Sequence, residues 1–526
     1  METSSFENES SLRERLTKAE TERDEYRKLI ALLREEIERL KRGLLGQKAE
    51  RIPKNDAQLS LAILGLLEAG KSLAETPAPA HETAEETETI TYERRKPARR
   101  APPENLPVVT LEVIPDDVQR KGLENFERIG QDESKSVEKR SSAVVVLHTI
   151  RPKFVPKDRP KNAETTVVIA EPPELPIPRG NAGPGILAET IVRRWQDHLP
   201  LTRLESIYAR EGLPLARSTI AGWHEQLSAL AAVVVDAMRK DALLQPYLCT
   251  DSTGVLVQAP EKCRTGHFWV YVAPERHVFF EYSAKHDGAA ADAVLKDYKG
   301  FLVADATSVL DHLYESGDIL EVGCWAHTRR YFYKAFGAQP DVAREPLAMI
   351  GALFKIERDL VSAPRKKRSE TRERLSRPLV EKFFAWCKEQ ESRALDETPL
   401  AKAIGYALNQ QEALERFLAE PMLPIHNNVS ERNLRRIAVG RKNWLFVGSD
   451  ESAAIASTFV TLLASCQMHG IEPWAYLRDI FCLLPQWKTH RALELSPFRW
   501  RETFATPEVQ ERLAANVYRR ITLGEL

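Results

Sequence analysis

Apolar positions recur at three- and four-residue intervals from Leu12 to Leu44. Leu12, Ala19, Tyr26, Leu33 and Leu40 form one seam, and Leu16, Arg23, Ile30, Ile37 and Leu44 form the other. This heptad predicts a coiled coil (leucine zipper) over 1–48, and isoleucine in one seam with leucine in the other favours two parallel strands. The facing flanks agree, since Arg15 with Glu20, Glu22 with Arg27 and Glu36 with Lys41 are all opposite in sign. A homodimer is expected; the alternative is a solvated helix packed on its own chain. Over 49–105 the period is lost, leaving a short helix and a linker rich in Ala, Glu, Thr and Pro that ends in YERRKPARRAPP. From 106 to 180 the β-branched runs VVTLEV, SAVVVLHTI and TTVVIA alternate with polar breaks and predict a small β-rich module.

The period returns to helical over 181–240, where LTRLESIYAREGLPLARSTIAGWHEQL reads as helix, a turn at Gly212 to Pro214, and a second helix. That spacing is a helix-turn-helix, with Arg217, Ser218, Thr219 and His224 as its groove-facing candidates; ordinary paired helices share the pattern. Three strand runs follow, PYLCTDSTGVLVQ, GHFWVYVAP and HVFFEYSAK. After them come a helix, the strand GFLVADAT, a helix and the strand LEVGCWAH. The fold class is therefore α/β, a ribonuclease-H-like core whose first part spans 241–336. Residues 337–420 read as a helical insertion with a basic patch at Arg365 to Arg368. The core resumes over 421–468, and 469–526 is a helical tail.

Charge alters this picture only locally. Lys and Arg number 75 against 76 Asp and Glu, a net charge of -1, so any nucleic-acid surface is a patch and not the whole protein. Arg94, Arg95, Arg99 and Arg100 in the linker suit phosphates or a minor groove, or equally a solvated linker. The six cysteines form no CxxC pair, which suits a reducing compartment, and no apolar run is long enough to span a membrane. The expected location is the cytoplasm.

The candidate chemistry is carboxylate chemistry. Asp251 ends or interrupts the first core strand among small polar residues, and Asp305 follows the buried run FLVA at the end of the fourth. Adjacent strand ends bring such acids together, and two close carboxylates repel unless a cation lies between them. Glu431 completes a set of three. It lies in IHNNVSERNLRR, one acid behind two amides and ahead of Arg432, Arg435 and Arg436, with Arg441, Lys442 and Trp444 further along. Those bases suit phosphates, and Trp444 suits a stacked base. In a two-metal site one ion activates the attacking oxygen and the other stabilises the leaving one. Each aspartate alone is more often a cap or turn residue.

The runs LPLTRLESIYAREG, DSTGV, VGCWAHTRRYF, NNVSERNLR and GRKNWLFVGSD resemble the insertion-sequence-66 family of bacterial transposases, the large DDE-type subunit. The resemblance implies cutting of inverted-repeat element ends and joining to target DNA, with Asp251, Asp305 and Glu431 as catalytic and metal-holding acids. It implies Mg2+ or Mn2+, two ions, and small accessory proteins of the same element as partners. Cys324 and His327 match the family's C-x-x-H, with Cys324 expected in the core and His327 at a strand end, beside the scissile phosphate or a carboxylate. Two features depart from the pattern. The module after the basic arm has no cysteine, so zinc is not expected, and His426 stands where an aspartate commonly precedes Asn427 and Asn428, which still suit a helix cap. The rival reading is a catalytically inactive, transposase-derived DNA-binding regulator.

Overall fold

The computed structural model describes residues 103–140, 143–158 and 167–525, together with Arg23. The zipper apart from Arg23, and the basic arm residues Arg94, Arg95, Arg99 and Arg100, lie outside the described residues. Among those described, 330–348 and 386–405 belong to one compact body, and those within 103–329, 349–385 and 406–525 to another. The helical stretch expected as one insertion is thus divided between the two.

The N-terminal module is a sheet in which β3 (Ala143–Pro156) is flanked by β1 (Val108–Glu112), parallel, and β2 (Phe126–Arg140), antiparallel, with the short β4 (Val168–Ile169) also on β3. β1, β3 and β4 fall on the predicted β-branched runs. β2, the longest strand, was not predicted, because its sequence FERIGQDESKSVEKR is charged through the middle and gains its conformation from pairing along β3. Val145 and Leu147 bury one face of the module against Tyr518 and Ile521 of the C-terminal helix Val517–Leu523.

Helices α1 (Pro184–Ile191), α2 (Leu201–Arg210) and α3 (Arg217–Ala242) lead into the core. α2 and α3 are joined where Gly212 takes φ +85°, a value that favours glycine. The second sheet has the order β7-β6-β5-β8-β9, built from β5 (Tyr247–Val257), β6 (Arg264–Ala273), β7 (His277–Ser283), β8 (Gly300–Val303) and β9 (Ile319–Val322). β5, β6 and β7 form an antiparallel meander, and β8 and β9 add in parallel through α4 (Gly288–Leu295) and α5 (Asp311–Tyr314). Leu248, Trp269, Tyr271, Phe279 and Leu302 bury one face against α3 and α4. Asp251 neither ends nor interrupts β5, which runs on to Val257 because β6 pairs with it to the end.

Beyond the strands come α6 (Trp325–Ala338), a run of helices between 340 and 415, α7 (Asn428–Trp444) and α8 (Asp450–Met468). β7 is an edge strand, and α8 covers its free backbone groups with hydroxyls. Thr461 Oγ1 accepts from the Phe280 N–H at 2.9 Å, and Ser465 Oγ accepts from the Val278 N–H at 3.2 Å. An apolar helix face would leave those groups unpaired in the interior.

One titratable group inside the fold stands apart from any site. Glu138 on β2 is fully buried, and its Oε1 accepts from the N–H of Ile186 at 2.9 Å, in the first turn of α1. Burial pushes its carboxyl up to about 8 from an ordinary 4.5. The folded chain therefore holds a proton that the unfolded chain releases. The resulting stabilisation is complete below about pH 4.5 and is lost as pH rises through about 8. Thermal unfolding followed across this range should show a falling midpoint in the wild type and a flatter profile in Glu138→Gln.

Candidate active site

The parallel pairing of β5 with β8 aligns Cys249 with Val303. Two residues further on lie Asp251, within its strand, and Asp305, in the loop that leaves β8. Because side chains alternate along a strand, Asp251 shares the face of Cys249. Glu431 lies in the first turn of α7. His327 lies in the first turn of α6, not at a strand end as expected, since β9 stops at Val322 and the chain turns helical at Trp325.

His327 is the meeting point. Its Nε2 lies 3.4 Å from Asp305 Oδ2 and 3.4 Å from Glu431 Oε1, so these oxygens stand within twice that distance of each other. The imidazole is buried, and the two carboxylates are about one-third exposed at the opening. Asp305 is oriented through its other oxygen, which accepts from the Ala306 N–H and from the Tyr406 hydroxyl, each at 2.9 Å. Asp251 Oδ1 accepts from the Ser252 N–H at 2.7 Å.

The two asparagines behave otherwise than as caps. Asn427 occupies the N-cap position of α7, but its side chain makes no capping bond. Its Nδ2 donates to the Thr250 carbonyl at 2.6 Å, one residue before Asp251, and its N–H donates to Cys324 Sγ at 3.2 Å. The Trp325 N–H donates to the Ile425 carbonyl at 2.9 Å, so the segments ahead of α6 and α7 run side by side. Cys324 is a core residue, and burial pushes its thiol up from its ordinary value. Asn428 is half-buried at the start of the helix.

Residues 179–455, more than half of the chain, match the sequence model described as "Transposase IS66 family". The chain belongs to the IS66 family of transposases. Residues 32–111 match a second description, "Transposase C of IS166 homeodomain". The chain is 26% identical over 504 residues to the uncharacterized protein y4hP of Sinorhizobium fredii, covering 90% of each, and 28% identical over 502 residues to y4qI of the same organism, covering 90% of this chain and 89% of the relative. No described helix is long and apolar enough to cross a membrane.

The basic residues of this IS66 transposase separate into two kinds. Arg432, Arg435 and Lys442 are exposed on α7, and none has an acidic partner among the described residues. Arg436 is turned inward to Gln196 Oε1 at 2.7 Å and to Gln467, and burial lowers its pKa. Arg441 ties α7 to β5 by donating to Thr253 Oγ1 at 3.1 Å and to the Gly254 carbonyl. Trp444 is buried and so is not available to stack a base. Arg217, Ser218 and Thr219 are exposed at the start of α3, whereas His224 is buried and donates to or accepts from Thr190 Oγ1 at 3.1 Å.

Nothing in the sequence points to Tyr406, since a single tyrosine on a helical face carries no signal of the carboxylate it meets far away in the chain. Nor does anything point to Thr250, because it acts through its carbonyl. Asn427→Ala should leave both the Thr250 carbonyl and the surrounding cavity uncompensated and lower the free energy of unfolding by about 1–3 kcal/mol in denaturant titration. An unchanged midpoint would show that the amide does not pin the three segments.

Proposed function

We propose that this IS66 transposase is a DDE enzyme that cuts the ends of its element and joins them to target DNA, with Asp251, Asp305 and Glu431 as its catalytic acids. The observation that carries the reading is the pair of 3.4 Å contacts from one buried histidine nitrogen to Asp305 and to Glu431, with Asp251 on the strand next to β8. The ribonuclease-H-like reading of the core is supported by the meander followed by helix, strand, helix and strand in one five-stranded sheet.

The donor chemistry fits a hard divalent cation. The three acids offer carboxylate oxygens alone, the ligand type that a hard divalent cation takes. Among the described residues no group of three or more His, Cys, Asp or Glu side chains is arranged as a metal site. Asp251, Asp305 and Glu431 would hold Mg2+ or Mn2+, two ions, which would supply Lewis-acid stabilisation of the charge on the attacking and leaving oxygens. The remaining residues position. Tyr406 fixes one oxygen of Asp305 and so presents the other, and His327 keeps Asp305 and Glu431 in a common orientation. Arg432, Arg435 and Lys442 hold phosphates by charge, and Arg217, Ser218 and Thr219 meet a second stretch of DNA. The N-terminal zipper joins two chains, and Arg94, Arg95, Arg99 and Arg100 add backbone contacts.

With Mg2+ or Mn2+, the purified full chain should nick duplex DNA bearing element ends. Glu431→Gln should reduce nicking by about 100-fold or more while binding persists, because only the transition-state charge loses its support. Normal cleavage by that variant would remove Glu431 from the chemistry. In Tyr406→Phe, the metal concentration giving half-maximal nicking should rise about tenfold, as expected when a group orienting a metal-holding carboxylate is lost. A loss of maximal rate with no shift along the metal axis would assign Tyr406 a packing role instead.

A further inference from the structure

Helix α7 ends in a turn that its own sequence resists. Leu445 has φ 64° and ψ −52°, and the Phe446 N–H donates to the Trp444 carbonyl at 2.7 Å, which makes a γ-turn of the strained, positive-φ kind. Glycine would adopt this conformation freely. Leucine does not, and here its side chain is 64% exposed, with Phe446 beside it 41% exposed. Two large apolar groups are thus held in water by strained backbone.

The surroundings enforce the turn from both sides. The Leu445 N–H donates to the Arg441 carbonyl at 3.0 Å, Val447 N–H to the Leu256 carbonyl at 2.8 Å, and Gln258 N–H to the Val447 carbonyl at 2.8 Å. Helix end and strand edge together fix the tip, which is the condition under which local strain persists. The tip also continues a charged track. Glu431, Arg435 and Lys442 fall on one face of α7 at helical spacing, leading from the acids toward the turn, and neither cation has an acidic partner among the described residues. That charge is complementary to a phosphate backbone and not to a second, equally charged surface of this chain.

We propose that Leu445, backed by Phe446, is a wedge that enters the base stack of bound DNA and opens one step. The inference rests on the transposase reading above. Fourteen residues of helical rise separate Glu431 from Leu445, about 20 Å. At about 3.4 Å per nucleotide, the opened step lies about six nucleotides from the scissile phosphate. Apolar side chains between base steps unstack and kink a duplex in this way.

The test uses the full chain with Mg2+ and element-end duplexes carrying 2-aminopurine at successive single positions. Wild-type protein should raise fluorescence at one step about six nucleotides from the cut. Leu445→Gly, which relieves the backbone and removes the wedge, should abolish that rise and slow nicking of intact duplex about tenfold. A duplex mismatched at the same step should be nicked at equal rates by both proteins. If wild-type protein binds and nicks with no fluorescence rise at any position, or if the mismatch does not rescue Leu445→Gly, the wedge is overturned while the transposase reading stands. Loss of self-association in Leu445→Gly in place of the fluorescence effect assigns the tip to a second copy of the chain and overturns the wedge. A wild-type protein that neither binds nor nicks overturns both.

Discussion

Asn427 is fully buried and joins three chain segments that are distant in sequence. Its side chain holds β5 one residue before Asp251, and its backbone holds Cys324, three residues before His327, while it begins the helix that carries Glu431 four residues later. Within the low-dielectric interior such bonds are stronger than at the surface, and the same setting penalises any polar atom left over. Asn427 Oδ1 is such an atom, with no hydrogen-bond partner among the described residues. An apolar residue would avoid that cost and would also release the strand from the helix. The amide is therefore explained by where it places the acids and not by what it adds to stability.

The helical stretch between 340 and 423 reaches the same site by two routes. Arg372 is fully buried, pairs with both oxygens of Glu357 at 2.7–2.8 Å, and donates to the carbonyls of Phe417, Glu420 and Leu423. All its donors are used, so the charge is matched where burial would otherwise be prohibitive. The loop it grips runs directly into Ile425 and Asn427. Tyr406 forms the second route, through Asp305. A segment that reads as a surface insertion thus helps to set the start of α7 and the orientation of one acid.

Sequence pattern was informative where a residue's role is local. The periods of two and of three to four located β5, β6, β7 and the long helices, while strand-end position pointed to Asp251 and Asp305 as candidates and an acid among bases pointed to Glu431. It was uninformative where a role depends on a distant partner. The charged β2 becomes a strand only along β3, Tyr406 matters only because Asp305 lies opposite it, and Thr250 acts through a backbone atom common to every residue. His327 was placed at a strand end because apolar LEV was extended through Gly323 and Cys324, whereas the backbone turns helical to bring Cys324 under Asn427.

The segment GRKNWLF shows how one motif divides between scaffold and surface. Trp444 folds back along its own helix, and a Cβ at Gly440 would lie 2.6 Å from its Nε1, so the glycine is what admits the indole. Arg194 stacks over the same ring with its guanidinium 5.7 Å from the centroid. Trp444 is anchored inside, Arg441 is bonded to β5, and Val447 is held on the strand edge, so Leu445 and Phe446 alone join the two. The positive φ falls on Leu445 within that short join, and Leu445 and Phe446 face solvent. The aromatic residue that looks suited to stacking is the anchor, and the aliphatic residue that follows it is the exposed tip.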